Sequence, residues 1–314
     1  MRKGIGIAAV TLAGLMGVRV SSAAITPLNP TGWTQDMVVE AGATNDPTTH
    51  YKTNVTATLD AGTVFAAGSG ADTWYEQGLN TNKALGLPAA GTITARDPLP
   101  YVFSLSVGTG AAKRTATAFA GGMGGQTPTF TLQPYTGNNA ILLDATHTTA
   151  TLTLATPTAY TGLVVYGSTG NGGGALANDQ ANLTVHFSDG TPDLTLNNAV
   201  TMGDWFGNSP IAIDTQGRVA PVTGAFDNHP DTATAIGNPR ILEWPVLLSA
   251  TGTSPLNTHP ISSIDFNYAG STAAANNSHI SIMAVSGSTD VPEPATLGLV
   301  GLGALGLLAR RRHA

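Results

Sequence analysis

From Val38 to Gly287 the chain is interrupted by Gly, Pro, Asn or Asp every eight to twelve residues, and the segments between are β-branched and short. No stretch in this region sustains a 3.6-residue apolar period, so amphipathic helices are excluded as the main building element. Leu183, Val185 and Phe187 alternate with Thr184 and His186, and the run ends in the hairpin signal Ser188-Asp189-Gly190. Ile264, Phe266 and Tyr268 alternate with Asp265 and Asn267. Thr151–Leu154, Leu163–Tyr166, Leu194–Leu196 and Ile280–Val285 are further strand candidates. Short strands at this spacing predict an all-β fold, a β-sandwich or jelly roll with few helices. Two glycine-rich segments, Gly121–Gly125 and Gly170–Gly174, read as mobile loops, and Ser286 to Asp290 reads as a short tether. Neither glycine-rich segment has the setting or the Lys-Ser/Thr ending of a phosphate loop.

Both ends of the chain stand outside this pattern. Met1-Arg2-Lys3 is a basic start, Ile5 to Val18 is apolar, and Ser22-Ala23-Ala24 supplies small residues, together a secretory signal peptide over 1–24. The translocon and signal peptidase are its implied partners. At the other end, Val291-Pro292-Glu293-Pro294 is followed by the apolar run Leu297 to Ala309 and then Arg310-Arg311-Arg312. As a helix that run is about 20 Å long, short of the ~30 Å hydrocarbon core, which suits transient insertion better than a stable span. The three arginines would stay on the cytoplasmic side. The expected organisation is a signal peptide at 1–24, one β-sandwich domain at 25–287 and a tail with a short hydrophobic helix at 288–314.

The order of Pro292, Glu293 and Pro294, apolar run, and Arg310, Arg311 and Arg312 resembles the PEP-CTERM sorting signal of Gram-negative bacteria. The resemblance implies export across the inner membrane, processing by an exosortase-type membrane enzyme, and delivery to the cell surface or the extracellular space. Phrases within the mature region, among them Leu85-Gly86-Leu87-Pro88, Asn139–Leu143, Pro157–Leu163 and Val185–Thr191 before Asp204-Trp205-Phe206, resemble a β-sandwich of exported bacterial proteins with this tail. The nearest understood architecture is the galactose-binding-like jelly roll, which implies a sandwich and, more distantly, sugar binding.

Charge narrows the partners. Removing the first 24 residues and those from Val291 onward takes six of 13 basic residues but one of 19 acidic ones. Seven basic against 18 acidic residues leave a net charge of −11. Nucleic acid is disfavoured, because no basic patch can displace counterions from phosphates. Acidic polysaccharide would be repelled unless a cation bridged it. Charged residues make up 10% of the chain, and Thr, Ser, Asn and Gly supply the polar surface instead. The chain has no cysteine, which eliminates disulfides, thiolate metal sites and a Cys nucleophile.

The candidate ligand-binding residues are Asp189 and Asp204 with Trp205, and Trp74 with Tyr75. A carboxylate beside an aromatic ring suits sugar recognition, the ring taking the apolar face and the acid taking hydroxyl hydrogen bonds. The alternative places Asp189 in a type I′ turn, lets Asp204 cap local backbone and puts Trp205 and Trp74 in the core. Asp227-Asn228-His229-Pro230-Asp231 gathers oxygen ligands without EF-hand spacing, so no metal or cofactor is assigned. Calcium is the metal that such a fold would take if it took one. No Gly-x-Ser-x-Gly or His-Glu-x-x-His pattern is present. The expected role is therefore non-catalytic, structural or adhesive within an extracellular polysaccharide matrix, with weak carbohydrate binding. The competing expectation is a secreted polysaccharide-active hydrolase or lyase.

Overall fold

The computed structural model describes residues 24–66, 71–80, 86–107, 114–171, 176–232, 236–248, 258–270 and 278–289. Residues 1–23 and 290–314 lie outside these, and with them the signal peptide, all but Ala24, and the PEP-CTERM-like tail, including Pro292, Glu293, Pro294, Arg310, Arg311 and Arg312. Among the described residues there is no α-helix, only short 3₁₀ turns.

The strands in chain order begin with β1 (Ile25–Pro27), β2 (Val38–Val39), β3 (Trp74–Tyr75), β4 (Gly91–Thr94), β5 (Val102–Val107) and β6 (Arg114–Phe119). Next come β7 (Thr129–Leu132), β8 (Ile141–Leu143), β9 (Thr149–Ala159), β10 (Gly162–Gly170), β11 (Gln180–Phe187) and β12 (Leu194–Thr201). The last are β13 (Ile211–Asp214), β14 (Gly217–Ala220), β15 (Ala225–Asn228), β16 (Arg240–Leu247), β17 (Pro260–Tyr268) and β18 (His279–Ser288). Two antiparallel sheets dominate. One has the order β1-β18-β10-β16-β13, with β8 also on β18; the other runs β12-β11-β17-β9.

The four-stranded sheet shows the period-2 pattern of a half-buried sheet. Ala150, Leu152 and Leu154 of β9, Leu183 and Val185 of β11 and Ile264 and Phe266 of β17 point inward, while Thr149, Thr151, Thr153 and Thr184 do not. The central strands of the other sheet behave differently. All of β10, and β18 from Ile280 onward, is buried, as is β16 from Arg240 to Val246. One face of this sheet meets the four-stranded sheet across a common core. The other is covered by smaller antiparallel pairs, β4–β7 and β5–β6. Phe130 of β7 stacks on Tyr166 of β10 at 4.2 Å between ring centroids, and Ser286 Oγ donates to the Thr129 carbonyl at 2.6 Å. A smaller cluster of Val39, Tyr51, Val55, Tyr75 and Val219 sits beside the main core.

The N-terminal segment closes one exposed edge. Thr31 bridges Thr153 of β9, and Gly32, at φ +107°, lies so close to the Thr151 carbonyl that any Cβ there would collide with it. Covering an edge strand in this way removes a site for uncontrolled strand addition.

Two expectations are corrected. Ser286 to Ser288 are not a tether: they are buried residues of β18, paired with Pro27 to Ile25, so the chain leaves the sheet only after Ser288. Short Ser and Gly side chains fit where two layers approach, and the ladder satisfies their backbone. Gly121–Gly125 is not an open loop either. Gly121–Met123 forms a 3₁₀ turn and Met123 is buried, so this segment packs onto the sheet it crosses. Gly170 ends β10, and 172–174 lie outside the described residues.

Candidate functional site

Asp204 and Trp205 follow β12 in a turn held against the end of β10, with the Thr169 N–H donating to the Gly203 carbonyl at 2.8 Å and the Trp205 N–H to the Thr169 carbonyl at 3.0 Å. Asp204 Oδ1 accepts the Phe206 N–H at 2.8 Å, a local backbone cap. Trp205 is 2% exposed and Trp74 is fully buried; their rings meet edge to face at 5.2 Å. Tyr75, the next residue of β3, is 1% exposed and packs against Phe226 at 5.1 Å. The structure thus brings Trp74 and Trp205 together, but as core partners. A ring that stacks on a sugar needs a face open to solvent, and none of these three offers one. Alternation puts Trp74 and Tyr75 on opposite faces of a covered strand, which is why both are buried.

Beneath the indole lies a residue that the sequence did not single out. The guanidinium of Arg218 on β14 sits 5.3 Å from the Trp205 ring and 4.9 Å from the Phe206 ring. It also reaches Asp60 (3.2 Å), Asp72 (3.2 Å) and Asp227 (3.0 Å). Asp227 in turn contacts His229 at 2.9 Å. Burial pushes the Asp60 carboxyl up to about 7 against the pull of Arg218, and raises Asp72 and Asp204 as well. One cation shared by three carboxylates ties Asp60, Asp72, the β14–β15 hairpin and the Trp205 turn into one unit. The Asp227–Asp231 loop is therefore partly strand, with Asp227 spent on Arg218. Among the described residues, no group of three or more His, Asp or Glu side chains is placed to hold a metal ion.

Asp189 has a different environment. It lies in the exposed turn after β11, where Oδ1 accepts the Thr191 N–H at 3.1 Å and Oδ2 meets His259 Nδ1 at 2.8 Å. The His259 hydrogen bond, aided by Thr191, lowers its carboxyl to about 2. It shares no partner with Asp204. On the outer face of the four-stranded sheet, His186 is held between Asp265 (2.9 Å) and Asp193 (3.0 Å), and Thr151 donates to Asp265 at 2.6 Å. The hydrogen bond that the ring donates to Asp265, with Asp193 behind it, raises the imidazole above its ordinary value. The Thr hydroxyl donates to the acid and not to the imidazole, so this chain is not a nucleophile-and-base arrangement.

An open concavity among the described residues lies elsewhere. A groove of about 420 Å³ runs between β6, β12 and β16, its walls formed by Thr117 to Phe119, Thr195 to Ala199 and Trp244 to Leu247. Phe119 is 62% exposed, and its cross-strand neighbour Val102 is 54% exposed. The indole N–H of Trp244 donates to the Ala199 carbonyl at 2.9 Å, which joins the floor to the β12 wall. Sequence reasoning missed this site because its parts come from three strands far apart in the chain. An exposed Phe in a strand is a signal only once burial is known.

The C-terminal segment matches the PEP-CTERM protein-sorting motif over residues 290–312. The match takes in Pro292-Glu293-Pro294, the apolar run and the three arginines. The motif implies export and an exosortase as the processing partner. No curated protein and no solved structure matches the chain.

Proposed function

We propose that the protein serves, after export and exosortase processing, as a non-catalytic structural or adhesive component of the cell surface or extracellular polysaccharide matrix. Its described core would act as a galactose-binding-like jelly-roll sandwich with weak carbohydrate affinity. The observation that carries this reading is the pairing of the sorting motif at 290–312 with an aromatic-lipped groove lined by uncharged side chains, in a domain whose net charge is otherwise acidic. A polysaccharide hydrolase would need two carboxylates flanking a cleft of substrate size, and a lyase a titratable base within reach of the proton it removes. Among the described residues no ionisable side chain lines the groove, which supports binding over turnover.

The test replaces Pro292, Glu293 and Pro294 together by alanine and follows the protein through cell fractionation. The parent chain is expected at the surface or in the medium in shortened form, and the variant in the inner membrane at its unprocessed length. Equal delivery and equal processing of both would overturn the sorting part of the reading.

A further inference from the structure

β12 carries an irregularity where it borders the groove. Leu196 pairs with Leu183 and Val200 with Ala181, so Asn197, Asn198 and Ala199 stand opposite the single residue Asn182. Asn198 takes φ +51°, and its N–H donates to the side-chain oxygen of Asn182 at 2.7 Å. Trp244 holds the next carbonyl, that of Ala199. A bulge secured on both sides re-aims the side chains that it carries. Here it exposes the amides of Asn197 and Asn198 along the groove.

We propose that this groove binds an uncharged polysaccharide chain, with Phe119 as the stacking surface and Asn197, Asn198, Thr117 and Thr195 as the hydroxyl-reading groups. The proposal rests on the adhesive reading above and gives it a site and a ligand class. Three features select the ligand. Among the described residues the lining has no ionisable side chain, so a uronate or an amine would be desolvated without a partner. Amides and hydroxyls both donate and accept, as sugar hydroxyls do. Phe119 and Leu247 supply apolar surface for the C–H faces of the rings, whereas a wholly apolar ligand would strand the amides. A peptide adding as a strand would need a regular edge, and the bulge interrupts β12 where such a strand would pair. The volume falls in the range of ligand pockets and suits a short stretch of chain.

The site also lies close to the C-terminal end of the last strand. Gly162 of β10 pairs with Ser288 on one side and with Leu247 on the other, so the sorting tail leaves the sheet two strand spacings, about 10 Å, from the groove's Leu247. A bound glycan would lie beside the end of the domain from which it is processed.

The experiment measures binding of the exported, processed protein to neutral and uronate-containing polysaccharides and to an unstructured peptide, in calcium and in chelator. Phe119→Ala and Asn197→Ala are measured beside the parent, with thermal unfolding as the check on folding. Both residues are exposed, so both variants are expected to unfold at the parent temperature. The expected result is saturable binding of a neutral glycan in either buffer, weakened at least tenfold in Phe119→Ala and severalfold in Asn197→Ala. Neutral binding that both variants retain unchanged would move the site elsewhere while leaving the adhesive reading intact. Binding confined to uronate polymers, or to the peptide, would overturn the ligand class. Absence of binding to any glycan would remove both the site and the carbohydrate part of the proposed function.

Discussion

Trp205 and Phe119 invite a direct comparison, because each is an aromatic residue with polar groups close by, one in the turn after β12 and one at the end of β6. Trp205 is enclosed by Trp74, Phe206 and Arg218, and its acidic neighbour Asp204 caps backbone. Phe119 stands 62% exposed at the lip of a groove whose polar groups face outward. An aromatic-acid pair in sequence is thus no measure of a binding platform. What separates the two regions is which layer lies over each, and layering is a property of the whole fold.

The comparison breaks most visibly in stability. Trp205→Ala removes a buried ring from the core and is expected to cost about 4 kcal/mol. Phe119→Ala removes a ring already in contact with water and is expected to stay within about 0.5 kcal/mol. Denaturant midpoints of the two variants measure the difference, and similar midpoints would show that the two rings do not differ in burial as described. Arg218 comes next. Arg218→Met leaves Asp60, Asp72 and Asp227 without their shared cation, at an expected cost of about 3 kcal/mol near neutral pH. That loss should shrink on acidification, as protonated carboxyls no longer need a counter-charge. A loss independent of pH would mean that Arg218 acts by packing on Trp205 and Phe206 alone.

A smaller effect follows from acids whose burial outweighs their partners. Burial is the leading cause in raising Asp36, Asp60 and Asp179 to about 7 and Glu243 to about 8. Glu243 is 1% exposed, and neither carboxyl oxygen has a hydrogen-bond partner among the described residues. For a carboxyl whose folded value lies above its unfolded one, the folded state holds the proton more tightly. The stability it contributes is complete below pH ~4 and is lost as the pH rises through 7 to 8. The protein is therefore expected to melt several degrees higher at pH 5 than at pH 8. Glu243→Gln should raise the melting temperature at pH 8 and change it little at pH 5. Asp189, held near 2, acts below this window with the opposite sign. A Glu243→Gln variant with the parent's pH profile would remove Glu243 from the account.

The strands were legible because burial of one sheet face imposes a two-residue period that local sequence carries directly. β9, β11 and β17 announce themselves in Thr151–Leu154, Leu183–Phe187 and Ile264–Tyr268. β10 and β18 were found from their apolar runs, but the end of β18 was missed, because Ser286-Gly287-Ser288 reads as linker until a covering layer explains its small side chains. The pairs β4–β7 and β5–β6 went unread for a similar reason: they cover a sheet that is already formed. The candidate residues were legible as residue types only. Nothing local separates Trp205 from an exposed ring, or marks Arg218 as the shared partner of acids at 60, 72 and 227. The bulge at Asn197–Ala199 was invisible, since it is a count of residues against a partner strand.

That bulge supplies the smallest and sharpest test of the contrast between core and groove. Asn198 sits in the left-handed region, which Asn tolerates and glycine adopts without cost, but which a β-branched side chain strongly resists. Asn198→Gly is expected to change stability by less than about 0.5 kcal/mol, and Asn198→Val to cost about 1–2 kcal/mol or to force β12 into a regular register. The two substitutions also divide shape from chemistry in the groove. Glycine keeps the bulge and deletes one amide, so glycan binding should weaken modestly. Valine deletes the same amide and strains the turn that aims Asn197, so binding should weaken further, with changed amide shifts for Asn197 and Asn182 in NMR spectra. Equal stability and equal binding of the two variants would show that the left-handed turn does not shape the groove, and would leave Phe119 as its defining feature.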